Sequence, residues 1–131
     1  LRPENSIDLN WMLPAPAQGA ILVVCRENDF YCREASATIH HQSTALCTSI
    51  ERDFLKKLMG GCSTPISALA EIKNNTVHFE GNILSLDGKE KVSVNLSTTI
   101  QLSESFGIKA AEELLNSGGD KIAETIRNAA K

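Results

Sequence analysis

Of the four cysteines in this 131-residue chain, Cys62 has the setting best suited to chemistry. It lies in the run Gly60-Gly61-Cys62-Ser63-Thr64-Pro65-Ile66. The glycine pair permits backbone angles that other residues avoid and leaves space beside the sulfur. Pro65 stiffens the exit and biases Thr64 toward an extended conformation. Most free cysteines are small buried apolar residues, so core packing alone is one reading of Cys62. The glycines and the proline point instead to a thiol that carries a group. An amphipathic helix is expected to end just before it, which sets the negative end of a helix dipole nearby and gives no help to a thiolate. A strongly activated catalytic thiolate is therefore disfavoured. A thiol that reacts once and then holds its group needs less activation.

Other constellations are weaker. Cys32, His40, His41 and Cys47 fall in the pattern C-x7-H-H-x5-C, which matches no common zinc site, and no metal is expected. The plain reading is two polar histidines at a helix junction. A cysteine hydrolase would need a base near Cys62. His78 is the one histidine downstream, and it runs out of phase with Val77 and Phe79, so it is expected to face solvent. There is no phosphate-cradling glycine loop. Gln18-Gly19 before an apolar run marks a turn when read alone. Lys56-Lys57 reads as a solvated helix face.

Composition narrows the classes further. With 42% apolar and 22% charged residues the chain is long enough for one domain with a real core. A net charge of -3 argues against a nucleic-acid partner, and no apolar run reaches membrane-spanning length. Four cysteines without a CxxC pair fit reduced thiols in the cytoplasm better than a disulfide scaffold. No signal peptide pattern is visible. The chain opens Leu1-Arg2-Pro3-Glu4 rather than with Met and reads as a fragment or a processed chain.

The elements that must position Cys62 follow from periodicity. Residues 1–19 form a Pro-containing lead-in, with Met12-Leu13-Pro14-Ala15-Pro16 as an extended connector. Ala20-Ile21-Leu22-Val23-Val24-Cys25 has the continuous apolar character of a strand buried on both faces, yet no second run like it follows. An unpaired strand is a template for another chain, so self-association through residues 20–25 is expected. Residues 29–42 are weakly patterned helix. A Ser43-Thr44 cap is expected to start a helix over 44–59. There Leu46, Ile50, Phe54 and Leu58 recur every four residues, Ala45, Leu55 and Met59 widen the stripe, and Glu51, Arg52, Asp53, Lys56 and Lys57 fall largely off it. Gly60 is placed as its C-terminal stop. Three strands follow: Ile66, Ala68, Ala70 and Ile72; Val77, Phe79 and Ile83; Val92, Val94 and Leu96. Asn74-Asn75 and Asp87-Gly88 make the turns between them. Phe106, Ala110, Ala111, Leu114 and Leu115 open a helical stretch, Gly118-Gly119 interrupts it, and Ile122, Ile126 and Ala130 mark a last helix. The fold class is α+β: a three-stranded antiparallel sheet covered on one face by helices. Residues 1–42 are assigned to a preceding domain and 43–131 to the α+β domain bearing the cysteine.

Several of these segments together resemble one family. Met12-Leu13-Pro14-Ala15-Pro16-Ala17-Gln18-Gly19-Ala20 with Cys25-Arg26 resembles the hinge and returning strand of porphobilinogen deaminase, also called hydroxymethylbilane synthase. His40-His41 with Thr44-Ala45-Leu46 is similar to the start of that family's third domain. Glu51-Arg52-Asp53-Phe54-Leu55-Lys56-Lys57-Leu58 running into Gly60-Gly61-Cys62-Ser63-Thr64-Pro65-Ile66 resembles its cofactor-cysteine motif, and Ala110-Ala111-Glu112-Glu113-Leu114-Leu115 its late helix. The resemblance implies a transferase that joins four porphobilinogen molecules into hydroxymethylbilane for haem and related tetrapyrroles. It implies a dipyrromethane primer on a thioether to Cys62, with Gly60 and Gly61 beside it and Gln18 and Gly19 lining the cleft. Ala17 stands where the family commonly has glycine, and Met59 where glutamate usually precedes the glycine pair. The family's catalytic aspartate and most of its substrate-gripping arginines belong to two earlier domains. No catalytic residue is therefore assigned here, and the chain alone is expected to be inactive and to carry no primer. The rival reading is a small non-enzymatic α+β binding module with Cys62 in its core.

Overall fold

The computed structural model describes residues 3–58 and 64–129. Its regular elements are α1 (Phe30–Ala37), α2 (Gln42–Lys57), β1 (Ile66–Lys73), β2 (Thr76–Leu84), β3 (Lys91–Thr99), α3 (Phe106–Leu114) and α4 (Asp120–Ala129). The strands form one antiparallel sheet in the order β1-β2-β3. Each expected strand is present, and their alternation places Ile66, Ala68, Ala70, Val77, Phe79, Ile83 and Val94 on one buried face. Asn74 and Asn75 hold φ of 51° and 62°, the left-handed pair that a two-residue hairpin needs to match strand twist. Asp87 tightens the second connection by accepting from Ser85 Oγ at 2.7 Å and from Lys89 N at 3.2 Å. These bonds favour its ionised form and lower its pKa, the Ser85 hydroxyl most.

Helices α2, α3 and α4 cover the apolar face. Phe54 of α2, Phe79 of β2 and Phe106 of α3 stack edge-to-face, with centroids 5.0 and 6.3 Å apart. Ile50, Ala110, Ala111, Leu114, Ile122, Ala123 and Ile126 fill the rest of the core. The helical stretch kinks between α3 and α4 at Gly118, whose φ is 104°. The glycine pair thus interrupts the stretch where the sequence places the break. The opposite face of the sheet is polar, and residues 10–13 lie over part of it beside Glu80, Asn82, Ser93 and Asn95.

Three local expectations are corrected. The cap of α2 is His41, not Ser43-Thr44: its Nδ1 accepts from Thr44 N at 3.3 Å, one residue pair earlier than the hydroxyl rule suggested. An imidazole nitrogen offers the same lone pair as a hydroxyl, and Thr44 Oγ1 joins it at 2.7 Å. Helix α1 is shorter than residues 29–42, opening at an Asp29 cap and closing at Thr38. Residues 20–25 are not a strand here. They join no ladder, and Ile21, Leu22, Val23 and Val24 are exposed, while β1's outer edge is taken by Pro14 and Glu51. The expected stop at Gly60 lies outside the described residues; the last helical turn closes at Leu58.

Candidate functional site

Cys62 and its flanking Gly60 and Gly61 lie outside the described residues. Their approaches are well defined: α2 ends at Lys57, and β1 begins at Ile66. Leu58 is buried at the helix end, and Leu84 N donates to Pro65 O at 3.0 Å, which ties the exit of the cysteine loop to β2.

The connector that carries Gln18 and Gly19 packs on the same domain. Ala68 and Ala70 expose N–H groups along β1's free edge, since β2 occupies the other side. Ala68 N donates to Pro14 O at 3.0 Å, and Ala70 N to Glu51 Oε1 at 2.8 Å. The second oxygen of Glu51 accepts from Ala17 N at 2.6 Å. Two turns follow in the connector, Gln18 N to Ala15 O and Ala20 N to Ala17 O, and Gln18 Oε1 closes back on Ala15 N at 2.9 Å. Gln18 and Gly19 are therefore exposed on a built turn. Ala17 has a φ of 60°, a region that favours glycine.

A groove of about 470 Å³ runs between this turn and the start of α2, lined by Gln18, Gly19, Ser43, Thr44, Cys47 and Glu51, among others. Its described lining holds two carboxylates, Glu51 and Glu71, and no lysine or arginine. Cys47 is half-buried there; burial above all, with the negative charges of Glu51 and Glu71, pushes its thiol pKa up. Cys25, Cys32 and Cys47 are free thiols. Among the described residues no group of three His, Cys, Asp or Glu is arranged to hold a metal. His78 projects from the polar face, with Nδ1 3.0 Å from Ser97 Oγ. It lies five residues along β2 from Ile83, the partner of Ile66, which is roughly 17 Å of strand from the point where the cysteine loop enters β1.

Glu51 is the residue that the stripe pattern misassigns. The spacing sets it largely off the apolar stripe of α2, yet it is 5% exposed. The signal was available: its i−4 and i+4 neighbours are Cys47 and Leu55, both packed against the core.

Fold and connector define the class: an α+β domain with a helix-covered sheet, its free edge taken up by an N-terminal connector. A family model described as the porphobilinogen deaminase C-terminal domain matches residues 45–116, spanning most of α2, the cysteine loop, the sheet and α3. Porphobilinogen deaminase of Listeria monocytogenes serotype 4a (strain HCC23) is 41% identical over 116 residues, covering 88% of this chain and 37% of the relative. That of Carboxydothermus hydrogenoformans is 44% identical over 115 residues with the same coverage. That of Chloroherpeton thalassium is 38% identical over 125 residues, covering 92% of this chain and 40% of the relative. The chain belongs to the porphobilinogen deaminase C-terminal domain family. It spans 37% to 40% of the length of these curated relatives. Among the described residues no helix is long and apolar enough to cross a membrane.

Proposed function

We propose that this chain is the primer-bearing part of a hydroxymethylbilane synthase, a transferase of tetrapyrrole biosynthesis acting on porphobilinogen in the cytoplasm. Cys62 anchors a dipyrromethane primer through a thioether, flanked by Gly60 and Gly61, while Gln18 and Gly19 line the cleft in which the chain of pyrroles grows. The observation that carries this reading is the family match across residues 45–116, which contains the Gly60-Gly61-Cys62 motif. The division into a connector region, 1–42, and the cysteine-bearing domain, 43–131, is supported by the core, whose buried apolar residues begin at Ile50.

The 131 residues alone are inactive and carry no primer. A primer and substrate rich in carboxylates need dedicated cations. The groove beside Gln18 and Gly19 offers Glu51 and Glu71 instead. Intact mass of the isolated chain is expected to be that of the unmodified polypeptide; an adduct of two linked pyrrole units on Cys62 would sink the claim. In a chimaera where this chain replaces the matching segment of a full-length relative, that adduct should be present, and Cys62→Ser should lack it. Native thiol labelling separates the rival module, in which an enclosed Cys62 would resist the reagent.

A further inference from the structure

Glu51 brings a carboxylate into a buried site where its described partners are backbone N–H groups rather than a cation. The Ala70 N–H belongs to the cysteine-bearing domain, and the Ala17 N–H to the connector 34 residues earlier in the chain. Sheltering a carboxylate costs several kcal/mol in general unless its oxygens are well bonded, and a packed apolar side chain at such a site is often the more stable choice. One oxygen would suffice to satisfy the free edge of β1. The second oxygen reaches instead to Ala17, the residue whose left-handed backbone sets the direction of the Gln18–Gly19 turn. Charge-assisted bonds of this kind are the strong ones, and both here are short, at 2.6 and 2.8 Å.

We propose that Glu51 is a positioning residue: it fixes the Gln18–Gly19 turn against β1 and α2, so that the turn and the helix leading into the cysteine loop keep one relation. The functional weight of that turn rests on the reading above, in which Gln18 and Gly19 line the cleft. The clamp itself does not.

Amide hydrogen exchange on the 131-residue chain tests it. In the wild type, the Ala17 and Ala70 amides should exchange at least about tenfold more slowly than an unstructured chain, as expected for hydrogen bonds to a charged group. Glu51→Ala should remove at least about tenfold of that protection at both amides, leaving Phe79 in the central strand unchanged. Glu51→Gln keeps one acceptor oxygen and should release only one of the two. The Gln18 and Gly19 amide resonances should move in Glu51→Ala while those of Asn74 and Asn75 stay in place. Wild-type Ala17 exchanging at the unstructured rate would overturn the clamp, as would protection that survives in Glu51→Ala. Lost protection with unmoved Gln18 and Gly19 resonances would reduce Glu51 to an edge cap for β1 and overturn the positioning role. If Glu51→Ala does not fold, the wild-type rates and Glu51→Gln decide. Exchange is read without primer or substrate, so a missing primer adduct would remove the cleft reading and leave this result intact.

Discussion

Cys47 shows how one carboxylate changes its neighbours. Its thiol sits four residues before Glu51 on α2, in the wall of the groove, and its pKa is raised by burial first and by Glu51 and Glu71 next. The sign is direct: a raised pKa means less thiolate at any given pH, and the thiolate is the nucleophile. The folded state also disfavours the ionised thiol, so this group's contribution to stability is full below the unfolded thiol pKa and is lost as pH rises through the folded value. Cys25, by contrast, is exposed in the connector. Iodoacetamide at pH 8 should label Cys47 more slowly than Cys25 by about tenfold or more, with the gap closing as pH rises. Peptide mass analysis after timed quenching reads both sites at once. Equal rates at pH 8 would mean that Cys47 is neither shielded nor electrostatically suppressed.

Among the elements, α2 and α3 approach each other closely at Gly107. A Cβ built on Gly107 would collide with the Ile50 carbonyl oxygen, and it would also meet Phe54 N at 3.0 Å. Both are helix backbone, so neither yields easily. Exposed glycines in helices generally gain up to about 1 kcal/mol on replacement by alanine. Gly107→Ala should instead lose stability by about 1–3 kcal/mol, because overpacking against backbone outweighs propensity. Urea denaturation followed by circular dichroism checks the sign, and a gain would show that the helices slide apart freely. This contact was not legible in the sequence, since a close helix crossing leaves no periodic trace beyond the small residues Gly107, Ala110 and Ala111. The strands were legible because alternation in Ile66–Ile72 and Val92–Leu96 reports a one-sided sheet directly, and the Asn74-Asn75 turn fixes the register. The burial of Glu51 left a trace in its neighbours Cys47 and Leu55, but its hydrogen bonds and the His41 cap left none, for a shared reason: each depends on backbone N–H groups whose positions only the folded chain defines. Of the candidate site, the sequence marked Gln18 and Gly19 as a turn, but not that a buried carboxylate 34 residues on holds that turn to the sheet edge.

On the scale of the molecule, the two halves of the chain differ in how well they are buried. From Ile50 onward the apolar residues close into one core, whereas Ile21, Leu22, Val23 and Val24 stand 94%, 65%, 54% and 80% exposed. The outer edge of β1 is closed to them, being bonded to Pro14 and Glu51 along Ala68 and Ala70. An extended apolar run with high β-propensity and no ladder is a ready template for another chain, and a second copy presents the same run in any concentrated solution. Pairing of two copies through residues 20–25 would bury these side chains and satisfy their backbone groups in one isologous contact. The isolated chain is therefore expected to associate as its concentration rises, with a mass approaching twice the monomer. Val23→Lys, at the centre of the run, places like charges together across such a ladder and should return the chain to a monomer without changing the stability of the Ile50-to-Ile126 core. Light scattering across a hundredfold range of concentration, with urea denaturation of both chains in parallel, makes the test. A wild-type chain that stays monomeric throughout, or a Val23→Lys chain that associates as readily, would reject pairing through this run.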